Sequence, residues 1–281
     1  MHRIMITVAY DGTEYVGWQM QPNGIAVEQV INKALSDLLN EDIVIAGASR
    51  TDSGVHADGN VAVFDTDTRI PAEKICFALN QRLPKDIVCT GSCEVKPDFH
   101  PRHADCIKTY EYRIYNAVHP DPLKRRYSYF VYVPLDIDAM RTAAEYLKGE
   151  HDFASFCSAH AQVKTTVRNI YSLDILSTDI ASVGAVTVSD DEASVQRLPL
   201  ETKLTDEVSP KRYMANNIVI RISGNGFLYN MVRIIVGTLV KVGYHFYPPE
   251  YVKTILEARD RTKAGPKAPA EGLKLVGIEY I

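Results

Sequence analysis

The apolar residues of this chain run through one order of spacings twice, and that order restricts the fold more than any single motif does. Val27, Val30, Ile31, Ala34, Leu35, Leu38 and Leu39 recur every three or four residues, which buries one face of a helix over about Val27–Leu39. Met5–Tyr10 reads as a strand before it, and Ile43–Ala46 and Asn60–Phe64 read as strands after it. Pro71 suits the first turn of a second helix toward Arg82, because its missing N–H would be unpaired there anyway. Ile87–Val95 is a further strand, and the order so far is β-α-β-β-α-β. Then it recurs. Ile107–Asn116 alternates Tyr110, Tyr112 and Ile114 against Thr109, Glu111 and Arg113. A helix over about Asp138–Lys148 has acids at its start and Gly149 just past its end. Strands near Thr165–Leu176 and Asn216–Ile222 follow, and then a helix carrying Leu228, Met231, Val232, Ile235, Val236, Leu239 and Val240, closed by Gly243. A short helix near Glu250–Ala258 and a strand over Leu275–Tyr280 complete the chain.

The expected class is α+β: two tandem ferredoxin- or RRM-like units, 1–104 and 105–281, whose sheets join into one extended, largely antiparallel sheet. Helices would lie on one face, with a cleft between the halves. The 281 residues allow two such units. No run of about 18 apolar residues is present, so no membrane span is expected. Met1–Ile6 enters a strand pattern directly, without a signal-peptide core, which makes the cytoplasm the expected location. Cys76, Cys89, Cys93, Cys106 and Cys157 are scattered and lack paired zinc-knuckle spacing, so they are read as reduced structural thiols, with no metal site. The net charge of -4 is uneven. Tyr171–Pro210 holds eight acids and two bases, which leaves the remainder weakly positive, so a nucleic-acid partner is not excluded. The acidic stretch near 177–212 is longer than an ordinary connection and reads as a surface insertion, with a hairpin through Ala185–Val188.

The stretch with the most chemistry is Gly47–Ala57, Gly-Ala-Ser-Arg-Thr-Asp-Ser-Gly-Val-His-Ala, a tight loop by composition between two strand-like runs. It carries Arg50 and Asp52 two positions apart. Taken alone, Asp52 fits an Asx-turn as well as a carboxylate presented at a sheet edge. Arg50–Ala57 resembles the R-T-D-A-G-V-H-A signature of the tRNA pseudouridine synthase A family, with Ser53 where Ala is usual. Five other stretches resemble that family in the same order. Tyr15–Gln19 is similar to its F-x-G-W-Q, although Trp18 fits a core aromatic equally well. Phe99–Arg102 and Lys108–Asn116 resemble F-H-A-R and K-x-Y-x-Y-x-I-x-N. Phe227–Gly237 resembles F-x-x-x-M-V-R-x-I-V-G, and Ala270–Val276 resembles the C-terminal A-x-G-L segment.

The resemblance implies an isomerase that converts uridine to pseudouridine in the anticodon stem-loop of tRNA, with no cofactor. Asp52 would be the nucleophile, Arg50 would engage RNA, and Tyr110 would take the place of the active-site tyrosine, a flat face for a pyrimidine. Leu228 would close the other side of the base. The family is dimeric, with tRNA held across both subunits, so a homodimer is implied. Arg233 lies in an otherwise apolar helix, where an unpaired charge is costly. Its partner is Asp52 or another acid, and a guanidinium beside Asp52 is expected to favour the ionised carboxylate and lower its pKa. Candidate contacts to the RNA backbone are His100, Arg102, Arg168 and the run Lys124, Arg125, Arg126, all of which also fit solvated surface charges. The chain lacks a P-loop and a dinucleotide fingerprint, and Gly224-Asn225-Gly226 reads as a turn. Two rivals remain: a duplicated RRM-like protein that binds RNA without chemistry, and a hydrolase built on paired carboxylates, for which the loop offers no second acid.

Overall fold

A computed structural model describes residues 1–158, 164–180 and 215–281. The first unit holds β1 (His2–Tyr10), α1 (Val27–Leu39), β2 (Ala46–Gly47), β3 (His56–Thr66), α2 (Ala72–Leu79) and β4 (Ile87–Val95). The second holds β5 (Cys106–Asn116), β6 (Tyr129–Val131), α3 (Ile137–Glu145), β7 (Gly149–Asp152), β8 (Val167–Ile180), β9 (Ala215–Gly224), α4 (Met231–Gly243), α5 (Tyr251–Ala258) and β10 (Leu273–Tyr280). All ten strands form one sheet. Its main path runs β4-β1-β3-β10-β5-β9-β8-β7, with β2 on β3 and β6 on β5. In the first unit β4 lies beside β1, β1 beside β3 and β3 beside β2; in the second, with the short β6 and β7 set aside, β10 lies beside β5, β5 beside β9 and β9 beside β8, so each follows the ferredoxin-like order.

The two units meet at the edge of β3. Ala62 and Val63 pair there with the short β2, while His56 and Ala57 pair in parallel with Lys274 and Leu275 of β10. Every other pairing on the main path is antiparallel. One face of the sheet carries the core. Ile4, Ile6, Val8 and Tyr10 of β1, Tyr110, Tyr112 and Ile114 of β5, and Ile218, Ile220 and Ile222 of β9 are buried at alternate positions in one continuous cluster with the helices. α2 packs on β4, α3 on β8 and α4 on β5, and α3 also packs on α4.

α1 spans the residues whose spacing predicts it, and Asn40 in the left-handed region ends it. α3 is capped by Asp136, whose carboxylate accepts from the Ala139 N–H at 2.9 Å. The strand expected over Ile43–Ala46 is reduced to Ala46–Gly47. Upstream, the N–H groups of Ile43 and Ile45 donate to Ser36 Oγ and Asn32 Oδ1 of α1 at 3.0 and 2.9 Å, so the helix satisfies them instead of a ladder. β6 and β7 are too short to show alternation in the sequence. The acidic insertion expected near 177–212 starts on β8; from residue 181 onward, the hairpin at 185–188 included, it lies outside the described residues. Among the described residues no helix is long and apolar enough to cross a membrane.

Candidate active site

Asp52 is held by a backbone clasp. The segment after β1 lies across its loop: Trp18 N–H donates to Thr51 O at 3.1 Å, and Gly54 N–H donates to Tyr15 O at 3.3 Å. Gly17 makes this approach possible. Its φ is +112°, and a Cβ there would stand 2.5 Å from Thr51 O. Gly47 is needed for a different reason, since a Cβ there would press into the buried Trp18 indole at 2.3 Å. The loop carbonyls are taken up in turn. Arg102 Nε donates to Gly47 O at 2.7 Å, Lys108 Nζ to Ala48 O at 3.0 Å and Asn60 Nδ2 to Ser49 O at 3.0 Å. The Thr51 hydroxyl shares a 2.7 Å bond with the Tyr10 phenol. A loop fastened at so many successive points presents its carboxylate in one place.

α4 supplies the cation. Arg233 is 8% exposed, and its Nη1 donates to Asp52 Oδ2 and to Asn230 Oδ1, both at 3.2 Å. Its Nε donates to Ala268 O at 2.8 Å, which orients the guanidinium along the segment after α5. Asn230 sits in the left-handed region at φ 61° just before α4 and also donates to Ser158 Oγ at 2.9 Å. α4 therefore starts at Met231, later than the apolar run implies, and Leu228 precedes it.

Burial is the largest influence on Asp52 and pushes its pKa above the ordinary carboxylate value; Arg233 and then Lys267 offset part of that rise. This corrects the expectation of a lowered pKa, because most of the carboxylate is removed from water and a single guanidinium does not replace its hydration. Tyr110 is buried beside it, with its phenol pushed up to about 12 by burial against an opposing hydrogen bond from Ser49. Its ring meets Phe227 edge-on at 5.3 Å.

These groups line one cleft of about 1130 Å³ between the two units. Asp52, Arg50, Tyr110, Leu228, Arg102, Arg168 and Arg233 all face it, and Asp52 is the single carboxylate among its lining residues. Lys108, Asn230 and Phe227 also face it; all three lie in the motif-like stretches, but the sequence assigns none of them a role in the site, because a lysine at the start of a strand becomes part of a site only through the packing of β5 on the loop. Lys267 is a further cation, sensed by Asp52 from the segment that clasps α4.

The remaining sequence candidates lie elsewhere. His100 stacks on His103 at 4.3 Å and accepts from Arg102 N–H at 3.2 Å, outside the cleft lining. Lys124 Nζ lies 4.1 Å over the ring of Tyr115 and donates to Asn217, and Tyr115 alternates with Tyr110 onto the opposite sheet face. Arg125 Nη1 donates to Pro122 O at 3.1 Å, and Arg126 pairs with Glu14 at 3.4 Å. His56, the last polar residue of the motif, also faces away from the cleft: it accepts from Gly12 N–H at Nδ1 and donates to Arg126 O at 2.9 Å. Among the described residues no three His, Cys, Asp or Glu side chains gather closely enough to hold a metal ion.

A family model described as tRNA pseudouridine synthase matches residues 6–103 and 143–280, one segment in each unit. Tyr110 falls between the two segments. Curated proteins match over the whole length. A tRNA pseudouridine synthase A of Ruminiclostridium cellulolyticum is 44% identical over 280 residues, with 100% of each chain covered. One of Brevibacillus brevis and a tRNA pseudouridine synthase A 2 of Clostridium perfringens are each 42% identical over the same span, again with 100% of each chain covered. The fold, the cleft and these full-length similarities agree: the chain belongs to the tRNA pseudouridine synthase family, isomerases that convert uridine to pseudouridine in tRNA.

Proposed function

We propose that this protein isomerises uridines in the anticodon stem-loop of tRNA with Asp52 as the nucleophile. The observation that carries the reading is that the cleft holds one carboxylate, ion-paired to a buried arginine and flanked by an aromatic ring, an aliphatic side chain and further cations. A stacked uridine must leave the helix before a side chain can reach it, at a cost of a few kcal/mol. Arg50, Arg102 and Arg168 offset that cost by holding backbone phosphates at the cleft. His100, Lys124, Arg125 and Arg126 meet the RNA outside it. The extruded uracil stacks on Tyr110 and is closed from the other side by Leu228. Tyr110 stays protonated near neutral pH, so it stacks and donates hydrogen bonds and does not act as a base.

Asp52 attacks the nucleotide as a carboxylate and forms a transient ester-type bond to it. The N1–C1′ bond breaks, the uracil turns while held in the cleft, the C5–C1′ bond forms, and the bond to Asp52 is broken again, which returns the free carboxylate. The proton on C5 is then lost and N1 takes one up, so the product is an isomer and no external reagent is consumed. Arg233 keeps Asp52 aimed and pairs with its negative charge. Residues 1–104 supply the nucleophile and 105–281 the stacking ring and the cation. The working form is a cytoplasmic homodimer with tRNA across both subunits.

The test uses tRNA tritiated at C5 of uridine. The wild type is expected to release tritium, and Asp52→Asn to release it about 10⁶-fold more slowly with tRNA binding retained, on the scale seen when a catalytic nucleophile is lost. Release by Asp52→Asn at the wild-type rate would remove Asp52 from the reaction.

A further inference from the structure

Four of the cleft's cations have no ion-pair partner among the described residues. Arg233 takes the single carboxylate, whereas Arg50, Arg102, Lys108 and Arg168 form no ion pair with any described residue. Three of them are instead bonded to main-chain carbonyls: Arg102 to Gly47, Lys108 to Ala48, and Arg168 to Thr165 and Val167 at 3.0 and 2.6 Å. They sit close enough to disfavour one another's charge. Burial and then the neighbouring Arg102 and Arg168 act to hold Lys108 below the usual lysine value, against an opposing effect of Cys106, a thiol on the same strand. Glu28 acts on Arg102 only at longer range.

Lys108 is the most enclosed of the four. An ammonium has three donors, and only one goes to Ala48. A half-buried, unpaired charge among other cations is unfavourable in the free protein and becomes favourable once an anion arrives. Lys108 also stands two residues before Tyr110 on the same face of β5, a rise of roughly 7 Å along a strand. That distance is the scale of one nucleotide.

We propose that Lys108 binds a phosphate, the phosphodiester flanking the nucleotide that stacks on Tyr110, with Arg102 and Arg168 at its sides. The proposal rests on the cleft being the tRNA site and deepens that reading: a built anion seat sets which phosphate, and so which nucleotide, reaches Asp52. Lys108 then acts as a positioning residue, because its partner is the substrate backbone and not the base.

The rival role is to hold the Ala48 carbonyl, and glutamine separates the two because it keeps a donor and loses the charge. tRNA affinity is measured against salt in the Asp52→Asn background, so that binding is read without turnover. Lys108→Met and Lys108→Gln are both expected to weaken binding about 10-fold at low salt and to reduce the slope of log K against log salt by about 0.7–0.9, the value of one phosphate contact. Lys108→Arg is expected to restore the slope. Lys253→Met on α5 serves as a remote control with the parent slope. If Lys108→Gln keeps the parent slope, or Lys108→Met leaves it unchanged, the proposal is overturned. Inorganic phosphate at constant ionic strength names the source of the anion. Competition with tRNA that disappears in Lys108→Met means the seat takes free phosphate too, and no competition in either protein alongside a lost slope assigns it to the phosphodiester alone. Equal competition in both would show that phosphate binds elsewhere and would overturn the proposal. These are binding readouts, so a protein that binds in this way and releases no tritium would fail the nucleophile reading and keep this one.

Discussion

α2 and α4 occupy corresponding places, α2 following β3 and α4 following β9 in the matching order of the two units, yet they are buried to very different extents. α2 buries Ile75, Cys76 and Leu79 and turns Lys74 and Phe77 to solvent, as an amphipathic surface helix does. α4 buries twelve of its thirteen residues, because the segment after α5 and α3 cover sides that in α2 face water. The close approach is visible at Gly237, where a Cβ would stand 1.8 Å from Pro266 O. In α2 a charge costs almost nothing. In α4 the one buried charge, Arg233, is retained against a large desolvation penalty, and the group it meets is Asp52. The same fold thus builds a plain supporting element in one unit and half of a buried ion pair in the other.

Breaking α4's charge should have the largest effect. Arg233→Met leaves the Asp52 carboxylate buried without its cation, and a loss of about 3–5 kcal/mol in unfolding free energy is expected, together with a fall in tritium release. Adding Asp52→Asn should recover much of that stability, since both charges are then gone. Denaturant unfolding of the two single variants and the double variant reads the coupling directly. If Arg233→Met cost no more than a surface change, α4 would be no different from α2.

Next comes the clasp. Gly17→Ala combines a left-handed φ with a 2.5 Å contact to Thr51 O, so a cost of about 1–3 kcal/mol is expected, with slowed isomerisation as the Asp52 loop shifts. Melting temperature and tritium release should fall together.

The pH profile sharpens the comparison further. In the proposed mechanism Asp52 reacts as the carboxylate, and burial raises its pKa, so kcat/KM for tRNA should fall on the acid side at a pH above the ordinary carboxylate range. The sign for stability is opposite to that of a salt-bridged surface aspartate. A raised folded-state pKa means that the folded protein favours the protonated form, so the contribution of Asp52 is more favourable at low pH and is lost as pH rises through that pKa. Arg233→Met should move the acid limb upward. A limb at or below the ordinary carboxylate pKa would show that Arg233 outweighs burial.

The smallest effect belongs to α2. Phe77 is 65% exposed, so Phe77→Ala should change unfolding free energy by less than about 0.5 kcal/mol and leave tritium release unchanged. A large loss of activity would mean that α2 does more than support the sheet.

Much of this architecture is legible along the chain. α1 and β4 run where periodicity predicts them, because a helix face and an alternating strand are set by neighbours within a few residues. The doubled β-α-β-β-α-β order follows from the same local signals. The Asp52 loop announces itself through its glycines and its carboxylate, and an arginine inside an apolar helix announces a partner without naming it. Tertiary structure alone decided the rest. Arg233 meets Asp52 across 181 positions. β10 inserts beside β3 to join the units, Lys108 turns into the cleft, and Lys124 is carried to the opposite face by its contact with Tyr115. The direction of the Asp52 pKa belongs to this second group too, since desolvation depends on everything packed around the carboxylate and a sequence shows only its chain neighbours.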